Sequence, residues 1–384
     1  MSAAKNAQPP LSAGERITAV YTIAAAAEDI ELRARNLAIE QSVEMPLDAI
    51  DDETVLAEIV GVVESIGPAS PGFYQVRVGL AGATMGAEAG QLMNMLFGNS
   101  SLHDFVQLDD VDMPPAFAEA FGGPHQGARG LKSRVGARNR AITCAALKPQ
   151  GLSPDMLADL AGRLAAGGID YIKDDHGLAE QPYSPFAARV AACAAAVRRA
   201  SGATGHPTRY APNLSGNLDR LRAQLRIARD EGIDTVVIAP MVVGLPAFHT
   251  LTREHPDIAF IAHPALGGAA RIAPPLLLGK LFRLFGADAT IFPSHGGRFG
   301  YSPETCTAIT NHARQSWHGL EPTLPVPAGG MTLDRLPALI DFYGTETMIL
   351  IGGSLLSARE HITSETAAFV AEVATFSARS HPHA

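Results

Sequence analysis

The sequence predicts an α/β chain: a C-terminal (β/α)8 barrel of the TIM type, preceded by an N-terminal α+β domain of ferredoxin-like character. Three observations predict it. From Ala141 onward, short apolar runs alternate with helical stretches, the pattern of parallel βα units. The runs number eight, the strand count of that barrel. Polar, chemically useful residues sit at the C-terminal end of nearly every run, where barrel enzymes keep their sites. A doubly wound open sheet is the rival and fits less well for that last reason.

The N-terminal domain is expected over residues 1–138 and the barrel over 139–384. In the first, residues 16–23 read as a strand and 28–40 as a helix with apolar residues at helical spacing. Residues 55–66 and 73–78 read as paired strands, and Gly-rich connections follow. The barrel strands are expected at 142–147, 171–173, 208–211, 235–239, 259–262, 289–292, 325–328 and 347–351. Between them, residues 154–166 read as a helix capped by Ser153 and opened by Pro154. Residues 185–200 read as an Ala/Arg-rich helix after Ser184.

Composition narrows the function classes. Of 384 residues, 47% are apolar and 18% charged, which suits a large enzyme-like core and excludes a disordered chain. A formal charge of −9 offers no basic stripe, so nucleic acid is not an expected partner. Cys144, Cys193 and Cys306 lack metal-ligand spacing and suit a reducing compartment. The first residues lack the apolar core of a signal peptide, and no apolar run approaches the roughly 18 residues of a membrane span. A soluble, cytoplasmic protein with no membrane partner is expected.

The most informative stretch is Gly168-Ile169-Asp170-Tyr171-Ile172-Lys173-Asp174-Asp175-His176. Side chains alternate faces along a strand, so Lys173 and Asp175 share one face, with His176 just beyond. Two carboxylates and a modified or neutral lysine would give the oxygen-rich set Mg²⁺ prefers, whereas an ammonium would not. An ordinary Lys–Asp ion pair is the plainer reading of the same residues. Other strand ends add Lys148, Asn213, His263 and, in the Ser294-His295-Gly296-Gly297-Arg298 loop, Arg298. The last two strands end in Gly329-Gly330 and Gly352-Gly353, where glycine backbone N–H groups can approach a phosphate.

Taken together these residues resemble the RuBisCO superfamily, on the side of the RuBisCO-like proteins (form IV type) and not of the true carboxylases. The stretch above is similar to the family's G-x-D-x-x-K-x-D-E motif, whose lysine is carbamylated and binds Mg²⁺ with two carboxylates. The resemblance therefore implies one Mg²⁺ per site on Lys173, Asp175 and His176. Lys148, in Lys148-Pro149 followed by Gly151-Leu152-Ser153, resembles the lysine that handles protons. His263 resembles an active-site histidine, and Gly330, Gly352 and Gly353 a phosphate cradle. Glu40 and Asn99 resemble residues that a partner subunit inserts into the site, which implies a homodimer with shared active sites. Arg298 lies near the position of a mobile-loop lysine.

The departures carry information too. His176 stands where a third carboxylate is expected, and Gln150 replaces a second lysine. Pro264 replaces an arginine that grips a second phosphate, Pro293 a histidine nearby, and Met45-Pro46 a Thr-Trp pair. CO₂ fixation on a bisphosphate is not expected. What the resemblance leaves is enediolate chemistry on a monophosphorylated keto sugar or sugar acid. The first expectation is a lyase that decarboxylates a 3-oxo sugar acid phosphate of the 3-oxo-isoapionate 4-phosphate type. The second is a 5-methylthioribulose 1-phosphate isomerase or related methionine-salvage enolase. A catalytically silent sugar-phosphate-binding protein and a Schiff-base aldolase remain as readings from other classes.

Overall fold

The computed structural model describes residues 15–379. The chain divides into two compact units. The first runs to Gly123 and takes in Gly267–Leu277 and Ser316–Leu320; the second holds Pro124–Leu266, Leu278–Gln315 and the chain from Glu321 on.

In the first unit, β1 (Arg16–Ala24), β2 (Val62–Ser70), β3 (Phe73–Ala81) and β4 (Val106–Asp112) form an antiparallel sheet in the order β2-β3-β1-β4. Helix Ile30–Glu40 joins β1 to β2, and helix Ala89–Phe97 lies between β3 and β4. This is the βαββαβ order of a ferredoxin-like domain. Two elements differ from the sequence expectation. Val55–Ile59 is a helical turn and not the start of a strand, because Asp52 Oδ1 accepts from the N–H groups of Thr54 and Val55 and caps it. The segment expected as Gly-rich connection contains a second helix and β4. The Val-Gln-Leu-Asp-Asp-Val-Asp run of β4 is too acidic to look like a strand, yet Val106, Leu108 and Val111 are its buried residues.

The second unit is the barrel. Its strands are β5 (Ile142–Leu147), β6 (Tyr171–Asp174), β7 (Arg209–Ala211), β8 (Asn213–Leu214), β9 (Thr235–Ile238), β10 (Ala259–Ala262), β11 (Ala289–Pro293), β12 (Leu324–Ala328) and β13 (Met348–Leu350). They lie parallel in two arcs, β13-β5-β6-β7 and β8-β9-β10-β11-β12. Both seams have proline causes. β7 and β8 are one strand interrupted at Pro212, which cannot donate to a ladder. At the other seam, the Leu324 N–H donates to the carbonyl before β11, so Pro325 and Pro327, of opposite parity, face β13 without an N–H. Thr347 Oγ1 donates to the Pro325 carbonyl instead, at 3.0 Å. Helices cover the outside. Pro154–Ala166 is capped by Ser153, whose hydroxyl accepts from the Met156 N–H. Phe186–Thr204 starts after Pro185, and Ser184 does not cap it; the Ser184 carbonyl accepts from Arg189.

Inside the barrel the period-two rule of strands sets which residues meet. Cys144 and Ala146, Tyr171, Ala211, Val237, Ile261, Ile291, Val326 and Leu350 belong to one buried cluster. Gly127–Arg134 belongs with this unit, since Leu131 packs into that cluster. Asp288 anchors the helix: its carboxylate accepts from the N–H groups of Gln126 and Gly127 at 2.8 and 2.7 Å. Among the described residues, no helix is long and apolar enough to cross a membrane.

At the opposite end of the barrel from the strand mouths, Asp170 is fully buried and takes both guanidinium nitrogens of Arg140 at 2.6 and 2.7 Å. Burial alone would raise its pKa; the Arg140 hydrogen bonds, His206 and the Thr143 N–H outweigh that and hold it below the ordinary value. A depressed carboxylate contributes stability above its unfolded pKa of about 3.9 and loses it as pH falls through the folded value. Arg140→Met should therefore destabilise the protein by about 3 kcal/mol at pH 7, by removing the guanidinium that pairs with a buried carboxylate. Urea titrations should find that penalty shrinking as pH falls, beginning where Asp170 of the variant, raised by the loss of Arg140, protonates; a pH-independent penalty would contradict it.

Candidate active site

The alternation that fills the barrel core also aims the site. Ala146 pairs in register with Lys173, and Lys173 with Ala211. Two residues further along each strand, on the same face, come Lys148, Asp175 and Asn213. Likewise His263 follows Ile261, and Gly352 follows Leu350. A ring of polar groups thus lies one level above an apolar layer.

Lys173 is 3% exposed, with small Ala146 and Ala211 beside it in register and its Nζ donating to the Asp174 carbonyl at 2.8 Å. Burial drives its pKa below the usual lysine value, only partly countered by the neighbouring Asp175 and Asp174. Asp175 receives Lys148 Nζ at 3.0 Å and lies 3.6 Å from His176 Nδ1. Burial opposes its ionisation, but His176, Lys148 and Lys173 hold its carboxyl well below the carboxylate range. The imidazoles of His176 and His263 stack, with centroids 4.2 Å apart and planes 11° from parallel. Burial, then the charges of Lys173 and His176, push His263 down to about 2. His263 Nδ1 accepts from the Ala265 N–H at 3.2 Å, so the proton of this neutral ring resides on Nε2.

Asp174, the neighbour of both, faces the other way. Arg189 Nε donates to it at 3.1 Å, the Tyr210 hydroxyl at 2.7 Å and the Asn213 N–H at 3.1 Å. Arg189 also donates to the carbonyls of Ala179 and Ser184, which ties down the loop after β6. Sequence reasoning missed Arg189 and Tyr210 as supports of the site. The available signal was an arginine in line with Cys193 and Val197 on the buried stripe of its helix. Asn213 donates to the carbonyls of His176 and Leu178, while its Oδ1 is buried with no hydrogen-bond partner.

The glycine loops differ among themselves. Gly330 has φ +85°, and a Cβ there would meet the Arg298 nitrogen at 3.3 Å, so the loops after β11 and β12 interlock. Arg298 itself is exposed, its N–H donating to the Gly329 carbonyl and its guanidinium over the Phe299 ring. His295 is a loop fastener: its carbonyl accepts from Arg335, and its ring lies against Phe342 and Tyr343. A Cβ on Gly352 or Gly353 would meet open space. Gly353 and Lys148 line the same cleft. In the first unit, Asn99 Nδ2 donates to Glu40 at 3.0 Å and to Glu44 at 2.8 Å, so two of the expected residues meet there, joined by a third.

Among the described residues no three His, Cys, Asp or Glu side chains converge on a point that could hold a metal ion. A hard divalent cation would fit only with a further oxygen donor beside Asp175, which a carbamate on Lys173 would supply. Burial, which lowers the lysine pKa, suits that modification, since the free amine is the form that adds CO₂.

The profile of the ribulose bisphosphate carboxylase large chain, catalytic domain, matches residues 127–380. The chain is 58% identical over 366 residues to a 5-methylthioribulose-1-phosphate isomerase of Rhodospirillum rubrum, covering 95% of this chain and 98% of that one. It is 32% identical over 307 residues to a 2,3-diketo-5-methylthiopentyl-1-phosphate enolase of Bacillus pumilus, covering 77% and 75%. The crystal structure of a Rubisco-like protein from Rhodopseudomonas palustris superposes with a TM-score of 0.88 at 52% identity, over 94% of this chain and 98% of that chain. With the barrel, the ferredoxin-like sheet and the Lys173–Asp175 motif in place, the chain belongs to the RuBisCO large-chain family as a RuBisCO-like protein and not a true RuBisCO.

Proposed function

We propose that this chain isomerises a monophosphorylated ketose, 5-methylthioribulose 1-phosphate or a close analogue, by moving a proton between carbons flanking a carbonyl. The observation that carries the proposal is the cluster of Lys173, Asp175 and Lys148 on one inward face at the barrel mouth. The likeness to an isomerase across nearly the whole chain supports it over decarboxylation of a 3-oxo sugar acid phosphate. Both reactions would draw on the same enediolate-forming groups, and decarboxylation stands as the second reading.

Lys173, as its carbamate, with Asp175 and His176 would hold one Mg²⁺. When bound, the ion acidifies the C–H beside a chelated carbonyl. The protein's own groups do the rest. The carbamate would form by addition of CO₂ to the Lys173 free amine, with one N–H proton released to solvent. Lys148, oriented by Asp175, carries the proton from one substrate carbon to the other. His263, neutral and protonated on Nε2, donates a hydrogen bond to a substrate oxygen. Gly330, Gly352 and Gly353 receive the single phosphate on backbone N–H groups. Arg298, on an exposed loop, reaches toward the same anionic substrate. The working unit is a C2 homodimer in which Glu40 and Asn99 of one chain complete the site of the other.

Lys173→Ala and Asp175→Ala should each abolish turnover of 5-methylthioribulose 1-phosphate followed by NMR, with folding unchanged by circular dichroism. Full activity in either variant would remove the proposed site. Gly353→Leu should fold normally, because its Cβ has open space, yet raise KM at least about tenfold by blocking anion approach. An unchanged KM would place the phosphate elsewhere. Mixing inactive Lys173→Ala chains with inactive Glu40→Ala chains should restore part of the activity in heterodimers. No recovery despite demonstrated subunit exchange would defeat the shared-site arrangement.

A further inference from the structure

We infer that the Asn99 amide is locked with its carbonyl oxygen facing outward as a hydrogen-bond acceptor, and that Glu44 is the positioning residue that locks it. The assignment follows from chemistry. The Asn99 side chain places one terminal atom 3.0 Å from Glu40 Oε1 and 2.8 Å from Glu44 Oε1. A carboxylate only accepts, so that atom must be nitrogen; an oxygen there would face two carboxylate oxygens. Both Nδ2 hydrogens are then spent, and Oδ1 alone remains for a ligand. Among the described residues, neither carboxylate has a second side-chain partner.

The chain goes out of its way to put Glu44 there. Helix Ile30–Glu40 ends in a turn in which the N–H groups of Ser42, Val43 and Glu44 all converge on the Ile39 carbonyl at 3.0–3.1 Å. That turn needs the left-handed region at Glu44, φ +55°, which strains any residue with a Cβ. Such strain persists where surrounding contacts over-determine it. Here buried Gln41 holds the two segments together. Its Oε1 accepts from the Ser100 N–H at 3.1 Å and hydroxyl at 2.6 Å, and its Nε2 donates to the Met95 carbonyl at 2.7 Å. Gln41 and Ser100 thus fix the backbones on which Glu40 and Asn99 sit, and Glu44 fixes the amide. An outward Oδ1 selects a donor, so Asn99 takes a hydroxyl of a polyol chain and not a phosphate. This use of Asn99 rests on the shared-site reading above.

Two measurements test it, one independent of turnover. Asn99→Asp brings three carboxylates together, and their mutual repulsion raises the pKa of at least one of them in the folded state of the variant. A raised folded pKa gives stability that is present at low pH and lost as pH rises. Without any substrate, the melting temperature of Asn99→Asp should fall below the parent's at pH 8, with the gap closing by pH 5. Adding Glu44→Gln should close it at pH 8 as well, because the amide that this second substitution introduces donates to the new carboxylate. A pH-independent gap, or no rescue, would overturn the locked amide. In turnover of 5-methylthioribulose 1-phosphate, Glu44→Ala should lower kcat/KM about tenfold, the scale of one oriented hydrogen bond. Glu44→Gln, whose carbonyl can still accept from Nδ2, should stay within about threefold of the parent. Parent-like kinetics in Glu44→Ala, beside an active parent, would overturn the positioning role. A parent inactive on that substrate would count against the functional reading, and the melting experiment would still decide the amide.

Discussion

Everything at the barrel mouth depends on one constraint: a lysine amine held inside a parallel β-barrel. An ammonium there loses hydration that its neighbours restore only in part, and the free amine is favoured accordingly. The barrel makes room for it with Ala146 and Ala211 at the same level. It also brings Asp175 and Lys148 to the level above, where their 3.0 Å pairing keeps the carboxylate ionised. Strand parity alone therefore brings a buried lysine, a carboxylate and a second lysine to one face of the barrel.

Lys173, Asp174 and Asp175, consecutive at the end of β6, divide by the same parity. Lys173 and Asp175 point inward, to the proposed site. Asp174 points outward, between strand and helix, and Arg189, Tyr210 and the Asn213 N–H donate to it. Because Arg189 also binds the carbonyls of Ala179 and Ser184, the loop that follows is fixed to the strand that carries the lysine. Buried partners thus hold the strand end that carries the proposed reacting groups.

Much of this was legible in the sequence, for identifiable reasons. Buried parallel strands are short apolar runs, so the barrel strands stand out, and polar residues at their ends have few purposes besides chemistry. The strand at 208–211 was located, but its break at Pro212 and continuation through Leu214 were not, because a proline normally ends a strand. Strand alternation told Asp175, on the face of Lys173, from Asp174, but gave no sign of the Arg189 and Tyr210 partners that hold Asp174. β4 was hidden by its acidic exposed face. Glu44 gave no signal at all: its role arises from a left-handed turn and a partner at Asn99, far along the chain.

The central proposal is that Lys173 reacts with CO₂ as a free amine in its buried setting. The direct measurement is ¹³C NMR of the protein in ¹³C-bicarbonate with Mg²⁺, comparing the parent chain with Lys173→Ala. A protein-bound carbamate resonance should be present in the parent and missing from the variant. A parent without that resonance, or a variant that keeps it, would contradict the claim.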